Sequence, residues 1–186
     1  MRKKFFNAKI YRNDTATEMV VENGRIVQIG TNLPKCEEEI DLKGKLIMPP
    51  YVDPHLHLDY VYTLSELGQE GAGSGTLFEA IELWPKFKET LTIESVKKLA
   101  LKGIKDEVSQ GVQHIRTHID VTDPNFTALK AMLEMKEELK HIVDIQIVAF
   151  PQQGMYTYKG GLELVEEALK MGADIVGGIP HYEPAR

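Results

Sequence analysis

A chain of 186 residues, 42% hydrophobic and 27% charged, is long enough for one domain or one and a fraction and can build a packed core. Its 22 basic and 28 acidic residues leave a net charge of -6, which argues against nucleic acid or an anionic membrane as the main partner and suits a small neutral or cationic ligand. The single cysteine, Cys36, rules out an intrachain disulfide framework and fits a reducing compartment. It also excludes the zinc nucleobase deaminases built on His-x-Glu and Pro-Cys-x-x-Cys, which need at least two cysteines for their metal.

The basic start Met1-Arg2-Lys3-Lys4 lacks a following apolar segment of signal-peptide type, and no run approaches membrane-spanning length, so a cytoplasmic protein is expected. Residues 1–47 read as short strands near 4–11, 17–21 and 25–29, with Glu22-Asn23-Gly24 as a hairpin turn. Val20, Val21, Ile26, Val27 and Ile29 supply apolar faces for a small sheet, an N-terminal β subdomain that serves as scaffold.

At Met48 the pattern changes. The run Met48-Pro49-Pro50-Tyr51-Val52-Asp53-Pro54-His55-Leu56-His57-Leu58-Asp59 ends in two histidines one residue apart. On a strand, residues i and i+2 share a face, so His55 and His57 can aim two imidazoles at one point. Imidazole is a common ligand for zinc and ferrous iron, and catalytic sites combine about three protein ligands with an open position. Two ligands alone do not complete such a site.

From residue 48 to 186, strands alternate with amphipathic helices, the signature of parallel β/α units. Three further strands are predicted over 111–120, 143–150 and 174–179. A helical stretch over 76–89 contains Pro85, which should kink or interrupt it. The glycine-rich segment 68–75 ahead of it can close over a pocket, and it lacks the glycine spacing of a phosphate-cradling loop. Thr92 caps the next helix, whose Ile93, Val96, Leu99, Ala100, Ile104 and Val108 recur at helical spacing before Gly111. Asp123-Pro124 reads as N-cap and first helical residue of another, and Gly160-Gly161 opens the last, which stops at Gly172.

In parallel β/α barrels the reacting groups sit at the C-terminal ends of strands. There lie His55 and His57, then His118 and Asp120, then Gln152 and Gln153, then His181. His114, Arg116, His118 and Asp120 alternate with apolar neighbours; the leading reading is a buried Arg116–carboxylate network that orients its surroundings. His118 as a substrate-contacting or supporting group comes second, and as a direct metal ligand third. Gln152 carries a carboxamide that donates and accepts together, which matches the edge of a heterocyclic amide. His181 stays open between pocket lining and a structural hydrogen bond.

Five blocks in order, His55-Leu56-His57-Leu58-Asp59, Ser74-Gly75-Thr76-Leu77-Phe78-Glu79, His114 through Val121, Thr127 through Glu134 and Gln146 through Gln152, resemble the bacterial cytosine deaminases of the amidohydrolase superfamily. The resemblance implies an α/β fold: the N-terminal half of a distorted (β/α)8 TIM-type barrel, here the first four β/α units over 48–186, preceded by a small β-sandwich-like sheet over 1–47. It implies one divalent metal, Fe2+ or Zn2+, with His55 and His57 as its first two ligands. It assigns substrate binding to Gln152 and to the backbone carbonyl of Leu77, and leaves His118, Asp120 and His181 as possible pocket or supporting residues. No catalytic residue is identified within the chain: a third histidine, an aspartate and the proton-shuttle glutamate are expected beyond Arg186, since a barrel of this kind takes roughly 250 residues.

The implied activity is hydrolytic deamination of cytosine or a related amino-heterocycle. The expected partners are a nucleobase-like small molecule, no nucleic acid or membrane, and either further copies of the chain or a C-terminal half. Two alternatives stand beside this: a truncated, non-catalytic half-barrel that folds or dimerises without turnover, and an amidohydrolase acting on another cyclic amide or amidine.

Overall fold

The computed structural model describes residues 1–63 and 76–184, and the chain divides into two units, Met1–Pro49 and Pro50–Arg186. In the first, β1 (Arg2–Phe6), β3 (Glu18–Glu22), β4 (Arg25–Gly30) and β5 (Glu38–Asp41) form a sheet in the order β4-β3-β1-β5, while β2 (Lys9–Ile10) pairs with β6 (Leu46–Ile47). Asn23 and Gly24 link β3 to β4 with φ of 51° and 77°. Positive φ at both central residues is what a two-residue turn matched to strand twist demands. Met19 and Val20 are buried, but Ile26, Val27 and Ile29 are exposed. The apolar residues of β4 therefore contribute less to this unit's core than their sequence suggests, because β4 is an outer strand and the register slips between Val20 and Val21.

The second unit begins with β7 (Tyr51–Leu56) and continues through α1 (Leu77–Lys88), α2 (Ile93–Ser109), β8 (Val112–Asp120), α3 (Thr127–Leu139), β9 (Asp144–Phe150), α4 (Gly161–Met171) and β10 (Ile175–Val176). Its four strands are all parallel, in the order β7-β8-β9-β10. Helix packing covers one side: Val96, Ala100 and Ile104 of α2 and Ala128, Leu129, Ala131, Met132 and Met135 of α3 are buried with Ile115, Ile119, Ile145 and Ile147. In β8 the period-2 alternation sends Ile115, Thr117 and Ile119 into this core and His114, Arg116 and His118 to the other face.

Local chemistry sets the element ends. Thr92 and Ser95 exchange side-chain and backbone hydrogen bonds at 3.1 and 2.9 Å, a capping box that starts α2. Helix α3 starts three residues later than Asp123-Pro124 suggests. The Asp123 carboxylate does cap, accepting from the N–H groups of Asn125 and Thr127, but Phe126 enters the left-handed region at φ 53° before the helix begins. Burial of the Phe126 ring offsets that backbone cost, about 1–3 kcal/mol. Pro85 does not interrupt α1, which runs through it. The fourth strand is cut to two residues, since Gly177 and Gly178 offer no side chains to pack and Pro180 cannot extend a ladder.

Gly161, the first residue of α4, lies under the turn that follows Gln153. A Cβ there would sit 2.6 Å from the Met155 carbonyl oxygen and 2.8 Å from that of Gly154. Gly161→Ala is expected to cost about 1–3 kcal/mol, read as a lower urea midpoint with an unchanged m-value; a midpoint equal to wild type would show that the turn yields freely.

Candidate metal centre and adjoining pocket

Pro54 lies inside β7 and has no N–H for the ladder, and the β7–β8 register shifts between Asp53 and Leu56. The Asp53 carboxylate accepts the His55 N–H at 2.9 Å across this irregularity. Leu56 then pairs with Thr117, which brings His57 level with His118. The strand ends at Leu56, and the His57 carbonyl accepts the N–H groups of Tyr60 and Val61 in a turn. Beyond it the Leu58 N–H donates to the buried Thr117 hydroxyl at 3.0 Å.

The result is a group of three imidazoles. His55, His57 and His118 each present a ring nitrogen within 4.8 Å of the others. His118 stacks on His55 at 4.1 Å between ring centroids, His57 lies 5.4 Å from both, and the Phe150 ring meets His57 and His118 edge-on. Burial, with the neighbouring His118 and His55, pulls His57 down to about 4. Burial and His55 also lower His118. Both rings are therefore neutral at neutral pH and offer a lone pair.

The donor set fits a divalent ion. Three imidazoles suit zinc or ferrous iron and leave room for an open position. The Nδ1 atoms of His57 and His118 are buried without a hydrogen-bond partner among the described residues, an unmet polar demand at the cluster. These three residues are positioned for a metal site.

Behind the cluster lies a buried polar hub. Asp120, 2% exposed, accepts hydrogen bonds from Trp84 Nε1 at 2.7 Å, Lys88 Nζ at 3.0 Å, and both the N–H and hydroxyl of Thr122 at 2.8 and 2.5 Å. Lys88 also donates to the Thr122 carbonyl and hydroxyl and to Gln153 Oε1, at 2.6 to 2.9 Å. The Asp120 N–H donates to Asp59 Oδ2 at 2.8 Å. Complete burial holds the Asp59 carboxyl well above the usual range, opposed by that N–H.

The loop leaving Phe150 carries Gln152, buried, with its N–H directed at the Phe150 carbonyl and Asp120 Oδ1. Gln152 and Gln153 line a cavity of about 370 Å³ with Ile81, Glu82 and Pro85 of α1 and with Thr157, Tyr158 and Tyr182. His181 stands apart from the imidazole group: it is exposed in the Pro180–Tyr182 turn, its ring edge-on to Tyr182. Leu77, whose carbonyl the resemblance assigns to the substrate, is the first residue of α1; its side chain and the whole of residues 64–75 lie outside the described residues.

Two expectations for β8 change. Arg116 is exposed and donates to the Gln146 carboxamide at 2.6 Å, not to a buried carboxylate. His118, ranked last as a ligand, joins His55 and His57. The signal for it was the parallel pairing of the two strands, which the Pro54 irregularity hides from a count of residues. Among the described residues, no helix is long and apolar enough to cross a membrane.

Parallel β/α units gather three imidazoles, positioned for a metal ion, at the C-terminal ends of adjacent strands. The chain belongs to the amidohydrolase family, whose sequence profile matches residues 38–186. It is 34% identical over 177 residues to the N-isopropylammelide isopropyl amidohydrolase of Pseudomonas sp. (strain ADP), a match covering 93% of this chain and 44% of that protein. The crystal structure of 5-methylcytosine deaminase from Klebsiella pneumoniae liganded with 5-fluorocytosine is similar at 44% identity and TM-score 0.90, over 98% of this chain and 45% of that one. N-isopropylammelide isopropylaminohydrolase from Burkholderia multivorans follows at 26% identity and TM-score 0.77, over 95% and 44%. The chain thus spans less than half the length of these relatives.

Proposed function

We propose that this chain forms part of a metal-dependent aminohydrolase that replaces the exocyclic amine of cytosine, 5-methylcytosine or a related amino-heterocycle by oxygen, consuming water and releasing ammonia. The observation that carries the reading is the meeting of His55, His57 and His118 at the ends of β7 and β8, beside the loop that bears Gln152. The likeness to a 5-methylcytosine deaminase supports the substrate class. In this reading the four β/α units are half of a distorted (β/α)8 barrel, and the exposed face bearing Arg116 belongs to its interior.

The histidines would hold one divalent ion, Fe2+ or Zn2+, which supplies Lewis-acid activation of water toward the ring carbon that bears the amine. Gln152 binds the amide edge of the ring through its paired donor and acceptor. Asp120 and Lys88 fix the Gln152–Gln153 loop against β8, which is the positioning contribution. The shuttle that carries the proton to the leaving nitrogen comes from a C-terminal half, and association with that half or with further copies of the chain is part of the proposal.

A second reading rests on the 34% identity to an N-isopropylammelide amidohydrolase: an amino-triazine in place of the pyrimidine, with the same bond broken. The test is amine release by the iron- or zinc-loaded chain, alone and mixed with a chain carrying the C-terminal half of the fold: ammonia from cytosine and 5-methylcytosine, isopropylamine from N-isopropylammelide. Turnover of a pyrimidine in the mixture is expected. Release from the triazine alone would favour the second reading, and no release from any of them by a mixture that co-elutes as a complex would overturn both.

A further inference from the structure

Asp59 lies two residues after His57 and is a buried carboxylate, 2% exposed. Its two oxygens are used unequally. Oδ2 accepts the Asp120 N–H at 2.8 Å, which pins the carboxylate to the end of β8. Oδ1 is buried without a hydrogen-bond partner among the described residues, and so is Nδ1 of His57, and these two orphaned atoms lie 3.9 Å apart. Leaving two buried polar atoms both unmet is unfavourable, since neither recovers the hydrogen bonds it made to water. A small rotation of the His57 ring would satisfy the two together.

Resting on the metal reading above, we infer that Asp59 is a positioning residue that accepts the His57 Nδ1 proton and thereby leaves the His57 Nε2 lone pair to the metal ion. Ligating histidines commonly hand their second ring N–H to a carboxylate, which fixes tautomer and ring direction. The surroundings reinforce the assignment. The Tyr60 ring stacks on His57 at 4.9 Å with its plane tilted by only 14°, which limits the ring to motion in its own plane. The Asp59 carboxylate is in turn anchored through Asp120 to Trp84 and Lys88. Metal ligand, carboxylate, strand end and helix α1 thus form one connected set.

Asp59→Asn separates this role from simple structural support. The Asn carbonyl oxygen keeps the bond from the Asp120 N–H, so its NH2 group must turn to His57; the hydrogen bond reverses, Nδ1 becomes the acceptor and the proton moves to Nε2. Zinc affinity of the 186-residue chain, measured by competition with a chromophoric chelator, is expected to fall roughly 10–100-fold in Asp59→Asn. Circular dichroism should stay that of wild type, and the 15N shifts of a selectively labelled His57 should report the exchanged tautomer. Zinc binding within twofold of wild type would overturn the inference. So would a metal-free wild-type chain whose His57 proton resides on Nε2, a measurement that does not depend on any variant folding. A wild-type chain with no affinity for zinc would instead remove the metal reading on which Asp59's role rests, and the tautomer measurement distinguishes the two failures.

Discussion

Lys88→Met is expected to lower the unfolding free energy of the chain by about 3–5 kcal/mol, the cost of removing one partner from a buried ion pair. Lys88 is held at 10% side-chain exposure and Asp120 at 1%, so water cannot replace the lost ammonium. Four acceptors share its three N–H groups and lose them at once: the Asp120 carboxylate, the carbonyl and hydroxyl of Thr122, and the Gln153 carboxamide. Urea unfolding followed by circular dichroism gives the number. A loss below about 1 kcal/mol, the scale of an exposed pair, would mean that Trp84 and Thr122 satisfy Asp120 without help. The effect should extend past stability, because Gln153 and the neighbouring Gln152 take their positions from the same hub.

The second large effect concerns the ion. His118→Ala is expected to weaken zinc binding roughly 100-fold or more, since a structural zinc site of four ligands contributes about 10–16 kcal/mol in all, or some 3 kcal/mol for each. The same loss is expected for His55→Ala and His57→Ala, because the three rings offer equivalent nitrogens within one 4.8 Å group. Isothermal titration of the apo chain checks it. The informative contrast is between the variants: zinc affinity preserved in His118→Ala but lost in His55→Ala would place His118 beside the ion, stacked on His55, and not on it.

What the sequence discloses and what it hides follow the range of the interactions involved. Thr92, Gly160, Gly161 and Gly172 act on their own neighbours, and the helices they bound fall where the residues suggest. The alternation in β8 likewise predicts its two faces. His118 could not be placed that way, since its meeting with His55 and His57 depends on the register between two strands separated by two helices, and Pro54 shifts that register. Arg116 was misjudged for a related reason: burial depends on what packs across the sheet, and among the described residues its face stays open. For Asp120, open in the sequence between a pocket and a supporting role, the structure adds the partners Trp84, Lys88 and Thr122, contacts 2 to 36 residues apart in sequence.

One consequence of α1 concerns its proline. Pro85 sits between Trp84 and Lys88, both of which grip Asp120, so the helix continues through it. Having no N–H, Pro85 cannot serve the carbonyl of Ile81 four residues earlier, and Ile81 and Pro85 both line the cavity with Gln152. The proline therefore withholds the usual helical donor from a carbonyl in the turn whose two ends, Ile81 and Pro85, both line the cavity. Mutation at position 81 changes the size of the pocket wall without restoring that donor, so the missing main-chain bond and the shape of the wall vary independently.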